Sequence, residues 1–174
     1  MSDPLKKQPS KKSSGTAAVH RRSGSSKIKK AGGGVVSYCV HGPMGTAAAS
    51  DFAPSKLVEV LQIGLPFHEL EALQASLNVP MERLGTMLGI SKATLHRRKA
   101  TGKLDPAESD RVVRFARLIG KAVEVMESEE NARHWLTSPQ IGLGGAVPLD
   151  YAETELGARE VEDLLGRIEY GVYS

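Results

Sequence analysis

The sequence predicts an all-α protein: a helix-turn-helix front, a smaller helical domain behind it and a disordered basic tail ahead of both. Three observations carry that prediction. From position 54 almost to the end, apolar residues recur at helical spacings of three and four. Residues 81–100, MERLGTMLGISKATLHRRKA, set a small residue, a turn glycine and a cluster of cations at the spacing of a helix-turn-helix. Asp105-Pro106-Ala107-Glu108 then supplies a capping carboxylate, a proline at the first helical position and a glutamate three residues after the cap, a strong helix start.

Taken in order, residues 1–50 are rich in Lys, Ser, Gly and Ala, with basic clusters at 20–22 and 27–30, and bury too little to order themselves. The run Val35-Val36-Ser37-Tyr38-Cys39-Val40 carries strand propensity, although one strand alone is marginal. A short helix over 54–62 is closed by Gly64, and Pro66 opens another that runs to Leu77. In the turn motif Leu84 and Leu88 lie one turn apart, Gly85 permits close packing and Gly89 takes the positive φ that ends the first helix. Ile90 plugs the corner, Ser91 caps the second helix and Leu95 points to the core. The long helix from Asp105 carries a stripe of Val112, Ala116, Ile119, Val123 and Met126, widened by Phe115, Leu118 and Ala122. Its default place is the core, and its width leaves room for part of it to pack on a second copy.

A second unit begins near Ser128. A short amphipathic helix over 131–136 carries the only tryptophan, Trp135, as a packing anchor, and Pro139 with Gly142, Gly144 and Gly145 makes a loop. After a brief helical segment behind Pro148, Thr154 caps a final helix with Val161, Leu164, Leu165 and Ile168 on one side and charged residues on the other. The domains are expected at 1–50 (basic tail), 51–127 (DNA binding and dimerisation) and 128–174 (partner binding). Two tyrosines and a valine around a glycine at the end, YGVYS, make an exposed apolar terminus suited to insertion into a partner.

The face left free on the second helix of the motif carries Ser91, Lys92, Thr94, His96, Arg97 and Lys99, with Lys103 just beyond it. Such a face brings donors into a major groove while the positive helix N-terminus approaches phosphate. His96 reads either as a base contact or as a solvated polar residue. Arg98 occupies a position that is usually apolar, and its stem can lie over the core while its head reaches solvent or phosphate.

Composition narrows the function classes. The 174 residues carry a formal net charge of +3, yet residues 1–50 hold nine Lys or Arg against one acid and residues 105–174 hold seven against fourteen. That polarity suits an anionic partner in front and a protein surface behind. Cys39 is the only cysteine and cannot form an internal disulfide, no Cys/His cluster has zinc spacing, and no apolar run approaches the roughly 20 residues of a membrane span. A cytoplasmic protein without metal or cofactor is expected. None of His20, His41, His68, His96 and His134 sits in a recognisable catalytic arrangement, and the Gly142-Leu143-Gly144-Gly145 run lacks the lysine and strand of a phosphate loop. An enzyme is therefore not expected.

The chain also resembles the Xre/MbcA/ParS family of antitoxins. The resemblance covers residues 54–174 and rests on LGISKATLHRRKATGKL at 88–104, DPAESDRVVRFARL at 105–118, WLTSPQIGLGGAVPLD at 135–150 and TELGAREVEDLLGRIEYGVYS at 154–174. It implies a cognate toxin of the RES-domain class, which degrades NAD or transfers ADP-ribose to a protein. It further implies neutralisation by covering the toxin's active site, with Ile168, Glu169, Tyr170, Gly171, Val172, Tyr173 and Ser174 at the matching positions. Repression of the chain's own promoter DNA, as a homodimer within a larger toxin-antitoxin complex, is implied as well. The rival reading is a free-standing transcriptional regulator whose C-terminal domain only dimerises.

Overall fold

The computed structural model describes residues 34–41 and 54–172, in which the regular elements are all helical. They are α1 (Val35–His41), α2 (Pro54–Ile63), α3 (Phe67–Leu77), α4 (Met81–Met87), α5 (Lys92–Thr101), α6 (Pro106–Met126), α7 (Glu129–Thr137), α8 (Pro148–Tyr151) and α9 (Glu155–Glu169), with one 3-10 turn at Ile141–Leu143 before α8. Among the described residues β-pairing is limited to two isolated bridges, Pro66 with Lys103 and Gln140 with Ala146. No helix among them is long and apolar enough to cross a membrane.

The spine is α6. Its start is built as its sequence demands: the Asp105 carboxylate accepts from the Glu108 amide (2.9 Å) while the Glu108 carboxylate accepts from the Asp105 amide (2.9 Å). Val112, Phe115, Ala116, Leu118, Ile119 and Ala122 are buried against α1, α2, α3, α7 and α9, whereas Val123 and Met126 at its far end are only partly covered. Full burial of one such large side chain stabilises by about 1.5 to 3 kcal/mol, so this stripe is a main source of the fold's stability. One hydrophobic cluster runs from Leu70 and Leu84 in front to Leu136, Val161 and Leu165 behind.

The run at 35–40 is not a strand. Residues 34–41 open on a helical bond from the Tyr38 amide to the Gly34 carbonyl (2.9 Å), and Val35, Val36 and Val40 of α1 enter the core. The cause is tertiary. Glu69 of α3 is buried, and its two carboxylate oxygens accept from the amides of Val35 and Val36 (2.9 Å each), satisfying the otherwise orphaned donors at the start of α1. A Cβ on Gly34 would run into that carboxylate, and one on Gly120 of α6 would run into the Cys39 carbonyl, so both glycines set how closely α1 is seated. Strand propensity reports how well a side chain fits a pleated surface, and here that preference yields to a cap and a helical groove. Cys39 is half-buried, and burial pushes its thiol above the usual range, the opposite of an activated cysteine. The remainder of residues 1–50, with both basic clusters, lies outside the described residues.

Two loops fix α5 in place. Gly64 (φ 98°) turns the chain out of α2, after which the Leu65 amide donates to Ser109 Oγ (2.8 Å) and the Leu104 amide to the Leu65 carbonyl (2.8 Å). The Phe67 amide donates to the carbonyl of Gly102, the αL cap of α5 (2.9 Å). Behind the spine, Ser128 caps α7, and Arg133 reaches the Ser76 carbonyl at the end of α3 (2.7 Å). Trp135 is partly buried against the core, consistent with its expected role as a packing residue. Thr154 caps α9 through the Gly157 amide (3.0 Å), and Val161 and Leu165 of that helix are buried. Leu164 and Ile168, expected on the same apolar side, are only half-buried.

Candidate nucleic-acid and partner-binding sites

The turn between α4 and α5 follows the chemistry of its residues. Gly89 stands at φ 62°, the Ile90 amide donates to the Gly85 carbonyl (2.7 Å), and Ser91 Oγ accepts from the Thr94 amide (3.2 Å). A Cβ on Gly85 would meet Leu95 Cδ1 at 2.5 Å and the Ile90 carbonyl at 3.1 Å, so this glycine sets the approach of the two helices. Arg111 of α6 donates to the Leu88 carbonyl (2.6 Å) and closes the end of α4. Leu95 is buried as expected.

With Leu95 inward, Lys92, His96, Arg97 and Lys99 are exposed, and Lys103 is exposed beyond the helix. None of these five makes an ion pair among the described residues, so their donors are available to an anionic partner. Ser91 is exposed and Thr94 half-buried, their hydroxyls 3.0 Å apart.

Arg98 does not join that face. Its Nε donates to Glu108 (2.7 Å) and its Nη2 to Asp105 (2.6 Å), the two carboxylates of the α6 capping box. The hydrogen bond to Glu108 raises the guanidinium further above its ordinary value. The stem lies over the core as expected, but the head fastens α5 to α6 and does not reach out to phosphate. Its two partners, seven and ten residues further along, could have signalled this, because one turn of chain brings them level with the end of α5.

At the other end of the molecule the expected partner-binding residues divide. Tyr170 (80 % exposed) and Val172 (52 %) stand in solvent beside Gly171. Ile168 is half-buried. Glu169 pairs with Lys121 of α6 (2.6 Å), a hydrogen bond that holds the Lys121 ammonium above its usual range. Nearer the start of α9, Arg114 of α6 pairs with Glu155 (3.1 Å) and holds that carboxyl below its usual range. These two bridges fasten α9 along the spine, so Glu169 has a structural partner as well as an exposed site. Tyr173 and Ser174 lie outside the described residues.

Ile141, which the sequence reading did not single out, is almost wholly exposed (97 %) on the 3-10 turn. A lone isoleucine before a glycine-rich loop gives no periodic signal, and only the loop's placement against α9 makes it conspicuous. No group of three or more His, Cys, Asp or Glu among the described residues could hold a metal ion.

A helix-turn-helix in front and a helical unit with an exposed apolar end behind define a two-part all-α protein. The pattern of the Antitoxin Xre-like helix-turn-helix domain matches residues 57–117, and that of the Antitoxin Xre/MbcA/ParS C-terminal toxin-binding domain matches residues 121–171. An Antitoxin Xre of Yersinia enterocolitica is 34% identical over 120 residues, covering 68% of this chain and 81% of the relative. One from Photorhabdus laumondii is 32% identical over 117 residues, covering 66% and 79%. A Prs ADP-ribosylating antitoxin of a Sphingobium species is 26% identical over 132 residues, covering 70% and 83%. The chain belongs to the Xre antitoxin family.

Proposed function

We propose that the chain neutralises a RES-domain toxin that consumes NAD or transfers ADP-ribose to a protein, by laying residues 168–174 across the entrance of the toxin's active site. The observation that carries this reading is the exposed Tyr170 and Val172 at the end of a helix otherwise fastened to the core. An aromatic and a β-branched side chain left in water just past the end of a helix are suited to fill an apolar pocket in a partner. The relative whose name includes ADP-ribosylation supports the chemistry of the toxin. Residues 128–174 then form the toxin-binding part, residues 51–127 the DNA-binding and dimerising part, and residues 1–50 a basic tail, all in the cytoplasm. Where a RES-domain protein is encoded by the neighbouring gene, coexpression of this chain is expected to relieve that protein's growth arrest. Unrelieved arrest would reject the antitoxin reading in favour of a free-standing regulator.

The same chain represses its own operon through α5, as a homodimer reading two half-sites about one helical turn apart. Ser91, Lys92, Thr94, His96, Arg97, Lys99 and Lys103 supply the contacts, and Arg98 holds the helix at its angle. Arg97→Ala is expected to weaken promoter binding by about 1 to 3 kcal/mol, selectively if the guanidinium grips a guanine and almost uniformly across sequences if it grips phosphate. Arg98→Ala is expected to lower the thermal midpoint of the free protein, which Arg97→Ala leaves in place. Titrations at several salt concentrations separate the two roles, and an unchanged affinity and salt slope for Arg97→Ala would remove it from the interface.

A further inference from the structure

The loop after α7 and the last turns of α9 enclose an open groove of about 420 Å³, with Ile141, Leu164, Ile168 and Val172 among its walls. The two sides are held close because Gly142 has no side chain: a Cβ there would stand 2.6 Å from Leu164 Cδ1. One wall is charged. Arg167 lines the groove, and its Nε is buried without a hydrogen-bond partner among the described residues. Its guanidinium has no carboxylate within ion-pair distance there either. Contrast Arg98 and Arg133, which each hold a carboxylate within 2.7 Å. A buried guanidinium donor is a strong group to leave unmet, and a planar fork beside an apolar wall selects a carboxylate from a neighbouring chain.

We propose that this groove binds a segment of the toxin in which an aspartate or glutamate stands next to a large apolar side chain. The acid pairs with Arg167, and the apolar group covers Ile141 and Ile168. The proposal rests on the antitoxin reading and extends the contact from residues 168–172 sideways to Arg167 and Ile141. The pattern of the toxin-binding domain covers residues 121–171 and with them every wall of the groove but Val172, which favours the toxin over a second copy as occupant. Ile141 is the natural anchor, because its side chain stands almost entirely in water in the free protein.

The test uses the full-length chain and the toxin it is found to neutralise in the coexpression experiment. Arg167→Gln and Ile141→Asp are each expected to weaken the complex by about 30-fold or more, with promoter binding and thermal midpoint unchanged. Arg167→Glu is expected to fail against the natural toxin and to regain neutralisation of a toxin carrying lysine in place of one surface aspartate or glutamate. Ile141 is too exposed for its replacement to disturb the core, so loss of binding by Ile141→Asp cannot be put down to misfolding. Undiminished binding by both variants overturns the groove, as does a charge-reversal screen of the toxin that restores nothing to Arg167→Glu. A change in the mass of the free chain on Ile141→Asp, with toxin affinity intact, overturns it in favour of self-association. Failure of the unaltered chain to bind the toxin removes the antitoxin reading and the groove together, which separates that outcome from the others.

Discussion

Removal of residues 170–174 is expected to abolish neutralisation of the toxin while leaving the fold and promoter binding in place. The last buried side chain of α9 is Leu165, and Tyr170 and Val172 lie past it in solvent, so this protein's core loses little when they go. An exposed aromatic that becomes enclosed by a partner contributes on the order of 2 kcal/mol or more, which is roughly 30-fold or more in affinity for that residue alone. Growth in cells carrying the toxin with the truncated chain measures the effect, and the thermal midpoint of the purified truncation checks the fold. Full rescue by the truncated chain would mean that the inhibitory contacts lie elsewhere.

The largest effect on stability is expected at Glu69. Replacing it by alanine leaves the Val35 and Val36 amides without their acceptors and strips the cap from α1, for a loss of about 2 to 4 kcal/mol in urea unfolding. Because α1 sits on α6 at Gly120, its release exposes Val35, Val36 and Val40 together with the spine beneath them. Hydrogen exchange should therefore show α1 opening ahead of α3 in Glu69→Ala. If exchange in α1 and the unfolding midpoint match those of the unaltered protein, the buried carboxylate is not what holds this helix.

These two sites also mark where the sequence was readable and where it was not. The helix-turn-helix was legible because its instructions are local: Gly89, Ile90, Ser91 and Leu95 each act within a turn or two, and their chemistry decides the corner without help from the rest of the chain. The capping box at Asp105 and the stripe on α6 were legible for the same reason. The helix at 35–41 was not, since its first amides are satisfied by a carboxylate 34 and 33 residues away, and the local run of valines argues for a strand. Arg98 lay between these cases. Its residue type and position fitted a DNA face, and only the two acids that open α6 show that the charge is already met. At the back, composition placed an apolar end at 170–174, of which 170–172 are described and exposed, but not the groove beside it, which depends on how the loop carrying Ile141 is pressed against α9 through Gly142.

The unbroken course of α6 sets a geometric phase. The patterns of the two family domains end and begin at residues 117 and 121, both inside this one 21-residue helix, with no turn between them to absorb a change. Each residue of an α-helix turns the chain by about 100° and advances it by about 1.5 Å. Inserting or deleting one residue near Gly120 would thus swing the α7–α9 end around the axis relative to α5 and tear the shared core, whereas substitutions there are tolerated or not one at a time. If the proposed function holds, the direction in which a bound toxin projects from the DNA is set by the residue count of α6, and a related chain of different length is expected to keep that count.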